Sequence, residues 1–189
     1  DGGSTDGSIE EAKKLGFKVM MQKTRGSLGA AIFDAFEASS SDFLLMFGAD
    51  GNNEVEEIPK MLKKIQEGYD QVINSRFGKT SINEDAGPID GFGNRAFTFL
   101  ANILYRGHLT DTLSSSRAIT NEAWKEIKLD EFGLSSVYQM SIRGLIKKQK
   151  IVELDANERE RVGGERKMHR IPTGLNLSFR LIKELTWKG

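Results

Sequence analysis

Cysteine is absent from the 189 residues, and histidine occurs only as His108 and His169. Without thiols there is neither a disulfide framework nor a thiolate nucleophile. Two imidazoles so far apart argue against a zinc site. The chain also lacks any apolar run of about 18 residues, the length a membrane-crossing helix needs. Prolines number three, and no low-complexity tract or linker is visible. Net charge is missing too: 27 Lys/Arg balance 27 Asp/Glu, and no nucleic-acid partner is expected.

What is present is an ordinary globular composition, 38% hydrophobic and 29% charged, which argues against disorder and for one domain with a sizeable core. The balanced charge is unevenly spread. From Ser141 to Gly189 there are 12 Lys/Arg against 6 Asp/Glu, a segment suited to phosphates or an anionic membrane face, although a solvated surface is the commoner meaning of such a run.

Turn, helix and strand signals alternate along the first part of the chain. Asp1 to Ser8 is a polar turn of the kind that follows a strand, so a first strand is expected to be lacking. Ser8-Ile9-Glu10-Glu11 has capping-box spacing, which predicts a helix from Ile9 to about Leu15, closed by Gly16. Phe17 to Met21 reads as a strand, followed by the loop Lys23 to Ser27 and a helix with Leu28, Ala31, Ile32, Ala35 and Phe36 at helical spacing. Asp42 to Phe47 reads as the next strand, Val55 to Glu67 as a helix with Pro59 in its first turn, and Gln71 to Asn74 as a strand.

This alternation predicts a doubly wound, mostly parallel sheet. Beyond Arg76 a helix is expected over Phe92 to Tyr105, with an apolar face of Phe92, Phe99, Leu100 and Ile103. Thr110 to Ala118 is expected to be partly extended, Asn121 to cap a short helix, Val137 to Lys147 to be helical and Ile151 to Leu154 a short strand. Thr173 to Trp187 is amphipathic, with Leu175, Phe179, Ile182 and Leu185 on one face. Core packing is the expected use of that stripe.

The chemistry centres on Leu44-Leu45-Met46-Phe47-Gly48-Ala49-Asp50-Gly51-Asn52-Asn53. This apolar strand ends abruptly in a carboxylate, a glycine and two amides, at the carboxyl end where open α/β sheets bind ligands. Asp50 and Asn52 offer two oxygens to a hard cation; an Asp-Gly turn without metal is the plainer alternative.

Five segments together resemble the GT-A-fold family 2 glycosyltransferases, in the branch of dolichyl-phosphate mannose synthase-like, polyprenyl-phosphate enzymes. Asp1-Gly2-Gly3-Ser4-Thr5-Asp6-Gly7-Ser8 is similar to the DDGSTDGS turn, and Arg25-Gly26-Ser27-Leu28-Gly29-Ala30-Ala31 to the (K/R)GxGxA segment. Gly48-Ala49-Asp50-Gly51-Asn52 stands where relatives carry DxD, Thr110 to Ala118 resembles D-x-x-S-G-F-R-A, and Arg161 to Lys167 resembles R-x-x-G-E-S-K. The resemblance implies a three-layer α/β/α GT-A domain spanning 1–189, with a C-terminal amphipathic helix over about 173–187.

The activity it implies is inverting transfer of a sugar from a UDP- or GDP-sugar to a polyprenyl or dolichyl phosphate. It places Asp1, Gly3, Ser4, Arg25, Gly29, Asp50 and Arg76 at the donor, and Mg²⁺ or Mn²⁺ on Asp50 and Asn52. Asp111 and Arg117 join Asp50 as catalytic candidates, and Ser114, Arg161 and Lys167 face the acceptor phosphate. Peripheral contact with a membrane, at its cytoplasmic face, is implied as well.

Departures from the pattern are plain: Gly48 and Gly2 each stand where relatives carry Asp, Ser115-Ser116 replaces Gly-Phe, and Val137 occupies a position often acidic. The run Gly51 to Glu54 resembles a subgroup whose first Asp is also absent. A donor-binding domain without turnover, and a sugar nucleotidyltransferase, are the competing expectations.

Overall fold

The structure is a computed structural model that describes residues 1–23, 28–48, 50–160 and 169–189. Its elements run α1 (Ser8–Lys14), α2 (Leu28–Glu37), β1 (Phe43–Met46), α3 (Glu57–Gln66), β2 (Gln71–Ser75), α4 (Pro88–Tyr105), β3 (Arg117–Thr120), α5 (Asn121–Ile127), α6 (Ser136–Ile146), β4 (Ile151–Asp155) and α7 (Arg170–Lys183), with a short 3₁₀ turn at Glu184–Thr186.

The strands form one mixed sheet in the order β1-β3-β2-β4. β3 is antiparallel to both β1 and β2, while β2 and β4 are parallel. Three strands therefore point the same way, as alternation with helices predicts, and β3 is inserted between them in the opposite sense.

Side chains alternate across each strand, so register decides which layer each residue joins. Leu45, Ala118, Val72 and Val152 are partners in one row across the four strands. This row packs with Met61 and Ile65 of α3 on one face. The neighbouring positions Leu44 and Ile119 point to the other face, where they meet Ile32 and Phe36 of α2, Trp124 of α5 and Met140 of α6. Helices thus cover both faces of the sheet. Burying each such large side chain contributes about 1.5–3 kcal/mol before entropy is counted. A further cluster joins Ala101 of α4, Tyr138 and Ile142 of α6, and Leu177 and Leu181 of α7.

Several local expectations are corrected. Phe17 to Met21 forms no strand; Phe17 N donates back to Ala12 O at 3.0 Å, and alongside lies Asp1, through Asp1 N to Met20 O at 2.6 Å and Gln22 N to Asp1 O at 2.8 Å. One residue alongside is too short a neighbour for a ladder. Gly7, not Ser8, is the N-cap of α1, because the Ser8 hydroxyl turns back to Asp6 at 2.6 Å. Thr120 rather than Asn121 caps α5, its hydroxyl accepting from Ala123 N at 3.2 Å.

The largest correction concerns the apolar stripe of α7, expected in the core, and the apolar face of α4 behaves likewise. Phe92, Phe99, Leu100 and Ile103 of α4 face solvent, as do Leu175, Phe179 and Ile182 of α7 and Leu185 beyond it. α4 instead buries Gly91, Thr98 and Ala101, and α7 buries Leu177, Arg180 and Leu181. The helices choose their small and mixed sides for the core because they pack against α6 and each other there.

Candidate active site

Because β1, β2 and β4 share a direction, their carboxyl ends gather at one edge of the sheet, and the antiparallel β3 brings its entry segment to the same edge. A 270 Å³ cavity opens there, lined among others by Gly48, Asp50, Asn52, Arg76, Ser115 and Glu158. A larger cavity of 710 Å³ lies at the opposite end, beside Asp42 and Asn121. The smaller one is the candidate site, since ligands of open α/β sheets sit beyond the strands' carboxyl ends.

The Asp50 loop is folded on itself. A Cβ placed on Gly48 would lie 3.1 Å from an Asp50 carboxylate oxygen, 3.0 Å from Asn53 Nδ2 and 3.7 Å from Asn52 Oδ1, so these polar groups converge over that glycine. Asn52 is buried; its side-chain oxygen accepts from Asn53 Nδ2 at 2.5 Å and its amide lies 3.4 Å from Glu158 Oε1. Hard oxygen donors of this kind suit Mg²⁺ or Mn²⁺. Among the described residues no group of three or more His, Cys, Asp or Glu is placed to hold a metal, so any cation here would share its coordination with a ligand.

Arg76, directly after β2, is clamped by Asp111: Nε donates to Oδ2 at 2.7 Å and Nη2 to Oδ1 at 3.0 Å, while Nη1 lies 3.5 Å from Glu158 Oε1. Burial works against the charge on Arg76, but Asp111 and then Glu158 more than offset it, and its pKa is raised. Asp111 is fully buried and held in turn by Glu153, which accepts from Asp111 N at 2.8 Å and Thr110 N at 2.7 Å. Burial raises the pKa of Glu153, and likewise that of Glu158.

The sequence candidates divide into three groups. Asp50, Asn52 and Arg76 line the cavity. Asp111, Ser114 and Arg117 are buried and do not line it. Arg117 shares a row of the sheet with Met46 and Ile73 and points inward, donating to Ser114 O at 2.7 Å and Ser141 Oγ at 3.2 Å. Burial pulls its pKa down to about 10, against Asp111 and Glu153. Arg117, a catalytic candidate from the sequence, is thus not presented to the cavity, and Ser115, not Ser114, lines it.

Asp1 folds over its own turn, accepting from Gly3 N and Ser4 N at 2.7 Å and from Ser4 Oγ at 2.6 Å. These three residues line no part of the cavity. Gly29 serves close packing instead of ligand contact: a Cβ there would stand 2.6 Å from the backbone of Glu131 and Phe132. Arg25, Arg161 and Lys167 lie outside the described residues.

Sequence reasoning missed Glu158, which looked like one more charge in a solvated run, and the acids Asp85 and Asp90 at the cavity rim. It also missed Arg95, whose guanidinium lies 5.1 Å from the centre of the Phe77 ring in an adjoining 300 Å³ cavity that also contains Arg76.

Residues 1–128 match glycosyl transferase family 2. The chain belongs to that family. This family 2 chain is 31% identical over 182 residues to the dolichyl-phosphate hexose transferase of Haloferax volcanii, covering 96% of this chain and 77% of that protein. It is 35% identical over 149 residues to the glycosyltransferase AglJ of the same organism, covering 75% of this chain and 46% of AglJ, and so spans about half of AglJ's length. Its fold is that of a glucosyl-3-phosphoglycerate synthase from Mycobacterium tuberculosis crystallised with Mn²⁺, UDP-glucose and phosphoglyceric acid, with a TM-score of 0.74 at 18% identity over 100% of this chain and 68% of that one. The family 2 chain thus has the GT-A architecture.

Proposed function

We propose that this family 2 chain transfers a sugar, with inversion, from a UDP- or GDP-sugar to a polyprenyl or dolichyl phosphate, assisted by Mg²⁺ or Mn²⁺. The observation that carries this reading is the convergence of Asp50, Asn52 and Arg76 on one cavity at the carboxyl edge of the sheet. Relatives named for dolichyl-phosphate hexose and dolichol-phosphate mannosyl transfer support the acceptor class.

A divalent cation held by Asp50 and Asn52 would offset negative charge developing on the leaving nucleoside diphosphate. The chain's own residues supply the rest. Arg76 lines the cavity with Nε and Nη2 fixed by Asp111, which leaves Nη1, 3.5 Å from Glu158 Oε1, as the nitrogen to meet a phosphate oxygen. One opposite charge a few ångströms away contributes on the order of 4 kcal/mol at an effective dielectric near 20. Val137 forms part of the wall and offers no base. None is required, because an acceptor phosphate is already ionised at neutral pH.

The two outward stripes fit a lipid-borne acceptor. α4 and α7 are tied at one end by Arg170 to Asp90 at 2.9 Å and at the other by Tyr105 Oη to Leu181 O at 2.5 Å, and both expose large apolar side chains. Amphipathic helices of this kind lie in a bilayer interface. Among the described residues no helix is long and apolar enough to cross a membrane. The reading is of a domain lying against a membrane surface; its cytoplasmic face is what the family resemblance implies.

Transfer of label from UDP-glucose or GDP-mannose to a polyprenyl phosphate, dependent on Mn²⁺ or Mg²⁺, tests the activity. Donor binding without transfer in a full-length protein would establish the binding-only alternative. Separately, Phe99→Asp with Phe179→Asp is expected to reduce co-sedimentation with anionic vesicles at least about tenfold, since each buried aromatic contributes a few kcal/mol. Unchanged sedimentation would remove the membrane assignment.

A further inference from the structure

Glu158 sits at the strand edge of the cavity with its backbone fixed on both sides. It bridges Asn53 on one flank and Asn83 on the other, with Arg159 N donating to Asn52 O at 2.9 Å, Glu158 N to Ile82 O at 2.9 Å and Glu84 N to Glu158 O at 2.8 Å. The side chain lines the same cavity as Asp50 and is only 8% exposed. Its Oε1 faces the Asn52 amide and Arg76 Nη1, while Oε2 is buried, with the Asn83 side chain beside the carboxylate but no donor in hydrogen-bond geometry. A buried carboxylate oxygen without a donor is costly, and such groups in native proteins are met by a proton, a water or an ion. Meanwhile the loop itself offers one carboxylate, Asp50, because position 48 is glycine.

We infer that Glu158, 106 residues beyond Asn52 in sequence, is the second protein carboxylate of the divalent-cation site, replacing the ligand that glycine at position 48 cannot provide. This rests on the metal-assisted donor site proposed above. The geometry accounts for the substitution: the bridge between Asn53 and Glu158 brings this carboxylate beside the loop amide Asn52, with Arg76 holding the other oxygen. Oε2 is then the oxygen left for the cation. A side chain at position 48 would point toward the Asp50 loop, where the Asn53 and Asp50 side chains must give by a few tenths of an ångström, and the backbone there is not left-handed.

The test reads metal binding, not turnover. Mn²⁺ is titrated into the full-length protein with UDP, and separately with GDP, and free Mn²⁺ is followed by its EPR signal. Glu158→Gln is expected to weaken Mn²⁺ binding about 10–100-fold, the range for lost support at a metal site. Adding Gly48→Asp to that variant is expected to recover most of the loss. If Glu158→Gln does not fold, Glu158→Asp, which keeps the charge but shortens its reach, is expected to weaken Mn²⁺ binding as well.

Wild-type affinity in the folded Glu158 variant would overturn the inference. So would a loss that Gly48→Asp leaves unrepaired, which would make Glu158 only the counter-ion of Arg76. Asp50→Asn separates the two levels: if it weakens Mn²⁺ binding and Glu158→Gln does not, only this inference fails. If the wild-type protein binds no Mn²⁺ beyond that held by nucleotide alone, the metal-assisted reading fails with it.

Discussion

Asp50→Ala is expected to lower sugar transfer at least about 10²–10³-fold, the cost of removing one preorganised electrostatic contact at a developing anion. The fold should be untouched. Asp50 is an exposed loop residue, beyond the end of β1, and takes no part in the three buried clusters. Surface changes away from such features are worth about 0.5 kcal/mol or less, so the melting temperature should stay within about 2 °C. The loss should fall on kcat and kcat/KM together if the cation acts mainly in the transition state. Retained turnover in a folded Asp50→Ala protein would refute the metal assignment, whatever the behaviour of Glu158.

The second large effect concerns stability. Glu184, buried behind α7, accepts from Arg143 Nε at 2.7 Å, Arg180 Nη1 at 3.1 Å and Gln139 Nε2 at 2.6 Å. Arg143 also donates to Ile127 O at 3.0 Å and to the Lys128 carbonyl, and its guanidinium stacks 4.4 Å from the Trp187 ring centre. Asp130 pairs with both arginines, and Glu131 pairs with Arg180.

Removing one partner from a buried pair leaves uncompensated charge, at a cost of about 3–5 kcal/mol. Glu184→Ala is therefore expected to lower the melting temperature on the order of 10 °C for a chain of this size. Its urea midpoint should fall with little change in slope. Glu184→Gln, which keeps the shape and part of the hydrogen bonding, should lose less. A loss below about 1 kcal/mol in Glu184→Ala would show that Asp130 and Glu131 suffice for both arginines. The network anchors the carboxyl end of α7, and with it the outward stripe of Phe179 and Ile182 that the proposed membrane contact would use.

How much of this was legible beforehand depends on whether the signal was local. The Asp50 loop was readable because an apolar run ending in Asp-Gly-Asn-Asn marks both a strand and its end. α2, α3 and α6 were readable because apolar spacing lies within each segment, with Gly68 stopping α3. Glu158 was not readable. Between Asn157 and Arg159, with Glu160 next, it has the appearance of a solvated face, and only its bridges to Asn53 and Asn83 carry it into the cavity. The burial of Arg117 was not readable for a related reason: β3 starts there, and its alternation turns the side chain inward.

The sequence by itself determined the alternation of elements, the polar loop after β1 and, through its ordered motifs, the family. Those are short-range facts, set by hydrophobic period, turn chemistry and residue identity. Only the tertiary structure decided that β3 runs against its neighbours, that Asp111 serves Arg76 from behind, and that the apolar stripes of α4 and α7 look outward. Each of these depends on which surfaces meet across long separations in the chain. A helix's hydrophobic period says that one side is apolar, but its packing partners decide which side is buried.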